Sequence, residues 1–188
     1  MANLSLTAAP FLGGYTREFG TVALREIVGL AVVSIAIPLG DDAKVAKAVK
    51  SAFKAAMPSP IHSTLGKDGA RLLSSAADQV LVVFDHDGPD ANTVVHAKLK
   101  GVAYTTDQTD NWVALEISGQ DARTALERIC PIDLHNSAFA IDQSARTTME
   151  HMGAFIIRTA DDSFVLLCAS SSAASFLHAV ETSITNVS

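Results

Sequence analysis

Charged residues are scarce in this chain: Asp, Glu, Lys and Arg make up 18% of its 188 residues, against about 25% in an average soluble protein. Apolar residues reach 48%, and mean hydropathy is +0.27. A lone domain with so little charge leaves apolar patches on its surface, and such patches mark association surfaces. The composition therefore points to an obligate subunit. Basic charge is scarcer still, since 14 Lys and Arg face 20 Asp and Glu for a net charge of −6. Phosphate affinity comes from clustered Lys and Arg, so a general nucleic-acid binder is excluded.

Cysteine is nearly absent. Cys130 and Cys168 stand alone without a CxxC pair, which excludes a disulfide scaffold and a zinc site and fits a reducing cytoplasm. Long apolar runs are missing as well. The longest window, Ile27 to Leu39, carries Ser34 and Pro38 and falls short of the roughly 20 residues of a membrane helix. It reads as one or two buried strands. The N-terminus, MANLSLTAAPFLGGYTREFG, has no basic start followed by an apolar run, so no signal peptide is expected. The GxGxxG, GxxxxGK[ST], HExxH and GxSxG signatures are absent too.

What is present is an alternation of short apolar strands and amphipathic helices. Residues 1–20, with Pro10, Gly13 and Gly14, are expected as an irregular arm that orders against a partner. Strands are predicted around Val22 to Val28 and Leu30 to Ile37. A helix follows from Ala43 to Met57, capped by Asp41 or Asp42, with Val45, Val49, Ala52, Phe53 and Ala56 inward. A loop region is expected around Pro58, Pro60, Gly66 and Gly69. The wholly apolar run Val80 to Phe84 suits a strand buried on both faces. Gly88-Pro89 begins a helix that buries Ala91, Val94, Val95 and Leu99, and Gly101 ends it in a left-handed cap.

The second half repeats the arrangement. Strands are predicted at Val102 to Thr105 and Trp112 to Ile117. A helix capped by Ser118 and Asp121 then buries Ala122, Ala125, Leu126 and Ile129, and Pro131 stops it after Cys130. Ala145 to His151, Ala154 to Thr159 and Phe164 to Ala169 read as strands. Ser171 or Ser172 caps a last helix with Phe176, Leu177, Val180 and Ile184 inward. Strands clustered between helices predict an α+β fold with mainly antiparallel sheet. Residues 21–188 form one domain of two loosely similar halves, about 21–101 and 102–188.

Candidate chemistry is thin. Cys130, Asp133 and His135 fall within six residues, yet a helix C-terminus is the negative end of the dipole and does not activate a thiol. Cys130 reads as a packed small hydrophobe, and Asp133 and His135 as loop-fixing residues. Cys168 sits in an apolar strand. Glu150 and His151, neighbours on a predicted strand, point to opposite faces. His62, His86, His96 and His178 are scattered. Asp85 and Asp87 flank a helix start, where capping explains them, and Asp161 and Asp162 occupy a turn. Lys44, Lys47, Lys50 and Lys54 form a stripe that reads as a solvated helix face, or else as a steering surface for an acidic partner. Trp112 is either an interface anchor or a core staple. No residue is assigned as catalytic, cofactor-binding or metal-ligating.

The run Asp107-Gln108-Thr109-Asp110-Asn111-Trp112-Val113-Ala114-Leu115-Glu116-Ile117-Ser118-Gly119-Gln120-Asp121-Ala122-Arg123, continuing through Leu126 and Cys130-Pro131-Ile132-Asp133-Leu134-His135, resembles the γ subunits of heterotetrameric sarcosine oxidase. Phe139, Arg146-Thr147, Glu150-His151-Met152, Arg158, Phe164, Ser175-Phe176-Leu177-His178 and Val22-Ala23-Leu24-Arg25-Glu26 extend the resemblance. It covers nearly the whole chain, with little pattern in residues 40–100. One departure stands out: Ser170-Ser171-Ser172-Ala173 replaces an expected Arg-Ser-Phe-Ala type motif, so this segment lacks the arginine for any partner contact that side chain would make.

The resemblance implies a fold like the N-terminal part of aminomethyltransferase, the glycine-cleavage T protein. It also implies a non-catalytic structural role in a complex that oxidatively demethylates sarcosine to glycine and hydrogen peroxide. The methyl carbon leaves as formaldehyde or passes to tetrahydrofolate. FAD, FMN, NAD and tetrahydrofolate are expected on other subunits and none on this chain. The α subunit is expected as the main partner, with β and δ in the complex, and with no nucleic acid and no membrane involved. A stand-alone folate-binding aminomethyltransferase-like protein and a binding module for another oxidoreductase are the alternatives.

Overall fold

The structure, a computed structural model, describes residues 8–187. The strands are β1 (Thr16–Phe19), β2 (Val22–Glu26), β3 (Leu30–Ala36), β4 (Thr64–Leu65), β5 (Arg71–Ala76), β6 (Gln79–Asp85), β7 (Tyr104–Asp107), β8 (Trp112–Gly119), β9 (Ser144–Met149), β10 (Met152–Ala160) and β11 (Ser163–Ala169). The helices are α1 (Asp42–Phe53), α2 (Ala91–Leu99), α3 (Ala122–Glu127) and α4 (Ala173–Thr185). All strand pairings are antiparallel. A six-stranded sheet has the order β1-β2-β8-β11-β10-β9, and a five-stranded sheet the order β4-β5-β6-β3-β7. The α+β class with antiparallel sheet is therefore the observed one.

The period of two along each strand explains how the layers stack. On β8, Val113, Leu115 and Ile117 join a core with α3 and α4, while Ala114 faces the other way. On β10, Ala154 and Ile156 face those helices and Phe155 and Ile157 the opposite side. In the five-stranded sheet, Val33, Ile35, Leu72, Val80 and Val82 pack with Val45, Val49 and Phe53 of α1 and Val95 and Leu99 of α2. Val32, Leu73 and Leu81 turn away from the helices and meet Ala114, Phe155, Ile157 and Leu167 of the six-stranded sheet. The molecule is thus four layers deep, with helices outside and two sheets face to face inside. Strands covered on both faces account for much of the apolar composition.

The first sheet-helix unit runs β3-α1-β5-β6-α2-β7, with sheet order β5-β6-β3-β7, a split βαβ arrangement. The second runs β8-α3-β10-β11-α4, and the place beside β8 that would belong to its fourth strand is taken by β2 from upstream. Of the halves expected at about 21–101 and 102–188, the second gives β7 to the sheet of the first, and the first gives β2 to the sheet of the second, in a register that sets Leu24 opposite Ile117 and Val22 opposite Gly119. Val22 and Leu24 bury with the α3 and α4 core, which is why the strand goes there. Gly119 makes the join possible: its φ is +116, and a Cβ there would fall on the Thr21 carbonyl oxygen.

Several local expectations need correction. Within the segment 1–20, expected as an irregular arm, β1 pairs with β2 and Glu26 ties down the preceding turn; residues 1–7 lie outside the described residues. The expected loop region at 58–69 contains β4, and β5 follows it, masked in sequence because the adjacent Leu72 and Leu73 serve opposite faces. Helix α1 stops at Phe53, where Lys54 turns left-handed and leaves Ala56 exposed. Glu150 and His151 are not on a strand. They form the two-residue turn between β9 and β10, both with positive φ. None of the four α-helices has a side-chain hydrogen bond from its N-cap residue; Asp121 instead accepts from the Thr21 hydroxyl at 2.5 Å.

Candidate functional site

The residues that looked most like chemistry in the sequence do not form a reactive group. Cys130 is 5% exposed in the core beneath α3 and α4, while Asp133 and His135 are exposed on the loop. Burial pushes the Cys130 thiol up, and Cys168 likewise. Asp133 Oδ1 accepts the His135 backbone N–H at 2.9 Å, and His135 Nδ1 lies 2.8 Å from the Ser137 hydroxyl. Both fix the loop, as expected of such residues. Lys44, Lys47, Lys50 and Lys54 are all exposed on one side of α1. Asp161 ends the buried Arg158 network, in which the guanidinium donates to the Phe139, Ala160 and Asp161 carbonyls. Among the described residues no three His, Cys, Asp or Glu side chains are grouped to hold a metal ion. No described helix is long and apolar enough to cross a membrane.

The feature that sequence reasoning missed is a cleft of about 570 Å³ where the two sheets diverge. Its floor is Val32, Ala114 and Leu167, with Trp112 on the wall and Ala8 to Phe11 along one rim. Trp112 packs edge-on against Phe155, ring centres 5.4 Å apart, and its indole N–H has no acceptor among the described residues. The tryptophan therefore staples the layer between the sheets and lines the cleft at once.

Strand geometry brings the acids here. β3 begins, β6 ends and β7 ends at this edge, with Leu30 opposite Asp85 and Val33 opposite Asp107. Glu26, Asp87, Asp107 and Asp110 line the cleft, with no lysine or arginine among its lining residues. Glu26 is 7% exposed, and its two carboxylate oxygens accept the Leu12 and Gly14 backbone N–H groups at 3.0 and 2.8 Å. Asp107 accepts the Thr109 N–H at 2.9 Å. Asp87 and Asp110 are exposed at the mouth. Neither Asp85 nor Asp87 caps α2, because its N-cap position is Asp90, whose carboxylate takes His86 Nε2 at 2.8 Å instead. The sequence signal was there in Asp85-His86-Asp87 and Asp107-Gln108-Thr109-Asp110, acids packed at strand ends.

Comparison with known proteins places this architecture. No protein-family model matches the chain. A sarcosine oxidase subunit gamma from Corynebacterium sp. (strain P-1) is 30% identical over 151 residues, covering 79% of this chain and 72% of that protein. A second, from Arthrobacter sp., is 28% identical over 149 residues with the same coverage. Among solved structures, heterotetrameric sarcosine oxidase from Corynebacterium sp. U-96, in complex with pyrrole 2-carboxylate, matches with a TM-score of 0.78 at 20% identity, covering 88% of this chain and 84% of the matched one. Glycine cleavage system aminomethyltransferase T from Bartonella henselae matches with a TM-score of 0.60 at 14% identity, covering 85% of this chain and 45% of the enzyme. The second likeness is one of fold, as the sequence resemblance implied. On the identity and coverage of its relatives, this chain belongs to the family of γ subunits of heterotetrameric sarcosine oxidase.

Proposed function

We propose that the chain is a non-catalytic structural subunit that packs mainly on the α subunit, the folate-handling one, and stabilises the assembly, with β and δ completing the complex in the cytoplasm. The observation that carries the reading is the match over 151 residues to a sarcosine oxidase subunit gamma. The burial of both thiols and the loop-fixing roles of Asp133 and His135 support it. In this reading the complex oxidises the N-methyl group of sarcosine by two electrons, which pass to dioxygen and give hydrogen peroxide. Hydrolysis then leaves glycine and formaldehyde, or the one-carbon unit passes to tetrahydrofolate. FAD, FMN, NAD and tetrahydrofolate belong to the other subunits. Coexpression of those subunits without this chain should give a poorly assembled enzyme, and normal yield and activity would defeat the proposal.

A stand-alone folate-binding aminomethyltransferase-like protein is the second reading, favoured by the fold match to the Bartonella enzyme. This chain spans 45% of that enzyme. Calorimetric titration of the isolated chain with tetrahydrofolate separates the two, because clear binding would favour the second.

A further inference from the structure

We propose that the cleft between the two sheets receives a lysine- or arginine-bearing segment of a partner subunit, which lays its apolar part on the floor and its cation between Asp87 and Asp110. The inference rests on the reading of the chain as a subunit. Three observations carry it.

The first is an uncompensated charge. Glu26, Asp87, Asp107 and Asp110 share one cleft whose described lining holds no lysine or arginine and a single histidine, His86, turned to Asp90, and none of the four takes part in an ion pair among the described residues. Backbone N–H groups take up Glu26 and, in part, Asp107. Asp87 and Asp110 are left facing the mouth. Like charges gathered in one concavity attract a cation and reject an anion.

The second is the apolar material beside that charge. Phe11 and Val28 line the cleft while 48% and 53% exposed, on a chain that otherwise buries most of its large hydrophobic residues. An apolar centre with a charged rim is the anatomy of a protein interface. The third is shape: about 570 Å³ that stays open to solvent suits an inserted peptide segment better than a small ligand, which sites normally bury by about 70–90%. The Trp112 wall offers such a segment a flat aromatic face.

The test reverses the charge in the full chain. Asp87→Lys and Asp110→Lys together replace two exposed side chains that make no hydrogen bond or ion pair among the described residues, with the Asp87 carboxylate only resting beside Gly29, so the variant should fold. Asp78→Lys, exposed at the opposite end of β6, reverses one charge away from the cleft and is the charge-matched control for Asp87→Lys and Asp110→Lys taken singly. Tagged chain is coexpressed with its partner subunits and the co-purified complex is quantified. The double variant should bind about tenfold more weakly or worse, with Asp78→Lys unaffected. Equal binding by both, or an equal loss in both, overturns the proposal. So does quenching of Trp112 emission by free arginine with assembly untouched, which would assign the cleft to a small organic cation. If the unaltered chain fails to co-purify at all, it is the subunit reading that falls.

Discussion

The two split βαβ units differ in one respect that governs the whole molecule. The first draws all four of its strands from residues 30–107, whereas the second borrows β2 from a segment that precedes the first. The first unit is therefore threaded between the parts of the second. Face-to-face packing of the sheets joins them again through Val32, Leu73 and Leu81 against Phe155, Ile157 and Leu167. On the opposite side from the borrowed strand, Arg71 donates to Asp142 Oδ1 and to the Ser63 hydroxyl, both at 2.7 Å. Two similar units need not be two independent ones, and the chain should melt as a single cooperative body.

The borrowed strand is where that comparison breaks most easily. Gly119→Val puts a branched side chain at a φ of +116 and onto the Thr21 carbonyl. Relief requires β2 to leave β8, so we expect a loss of more than about 4 kcal/mol, read by urea denaturation, with the β1-β2 arm exposed to protease. A loss below about 1 kcal/mol would mean that β2 is dispensable. The layer between the sheets comes next. Phe155→Ala should cost about 3–5 kcal/mol and leave one transition. Two separate transitions in calorimetry would show that the units fold on their own.

Which parts of this were legible in the sequence follows from the same comparison. Strands and helices with one clear period, such as Val113, Leu115 and Ile117 on β8 or Val45, Val49 and Phe53 on α1, were readable because a single face is buried. β5 was not, since Leu72 and Leu73 pack on opposite sides and cancel the alternation. The pairing of β2 with β8 is a contact between residues about 90 apart, which no local pattern encodes. The cleft escaped for the same reason: Asp87 is an unremarkable helix-flanking acid and Asp110 one more polar residue ahead of β8 until β6 and β7 end on either side of β3.

A smaller effect lies at the far edge of the six-stranded sheet. Glu150 and His151 hold φ values of 46 and 69 in the two-residue turn from β9 to β10. Such turns favour Asn-Gly, which adopts this conformation with little strain. Glu150→Asn with His151→Gly should stabilise the protein by about 1 kcal/mol, seen as a higher Tm. An unchanged or lower Tm would mean that the present pair makes contacts worth as much as the strain it carries.

The smallest effect is a pH dependence at the arm. The Tyr15 hydroxyl donates to Glu181 Oε1 at 2.5 Å, linking the segment before β1 to α4, and Arg17 joins the same carboxylate at 3.3 Å. Burial, and then the hydrogen bond to Glu181 and its charge, push the phenol from 10.0 up to about 12. A raised pKa means that the folded chain keeps this proton more tightly than the unfolded one. The contribution is therefore fully present below pH 10 and is lost as pH rises towards 12. Exchange of the Leu12 and Gly14 amides, which point at Glu26, should accelerate over that window beyond the intrinsic base-catalysed rise. Tyr15→Phe should remove the extra acceleration, because it has no proton to lose. If wild type and variant keep the same profile from pH 9 to 12, the arm is held by Glu26 and the β1-β2 pairing, and the link to α4 adds nothing.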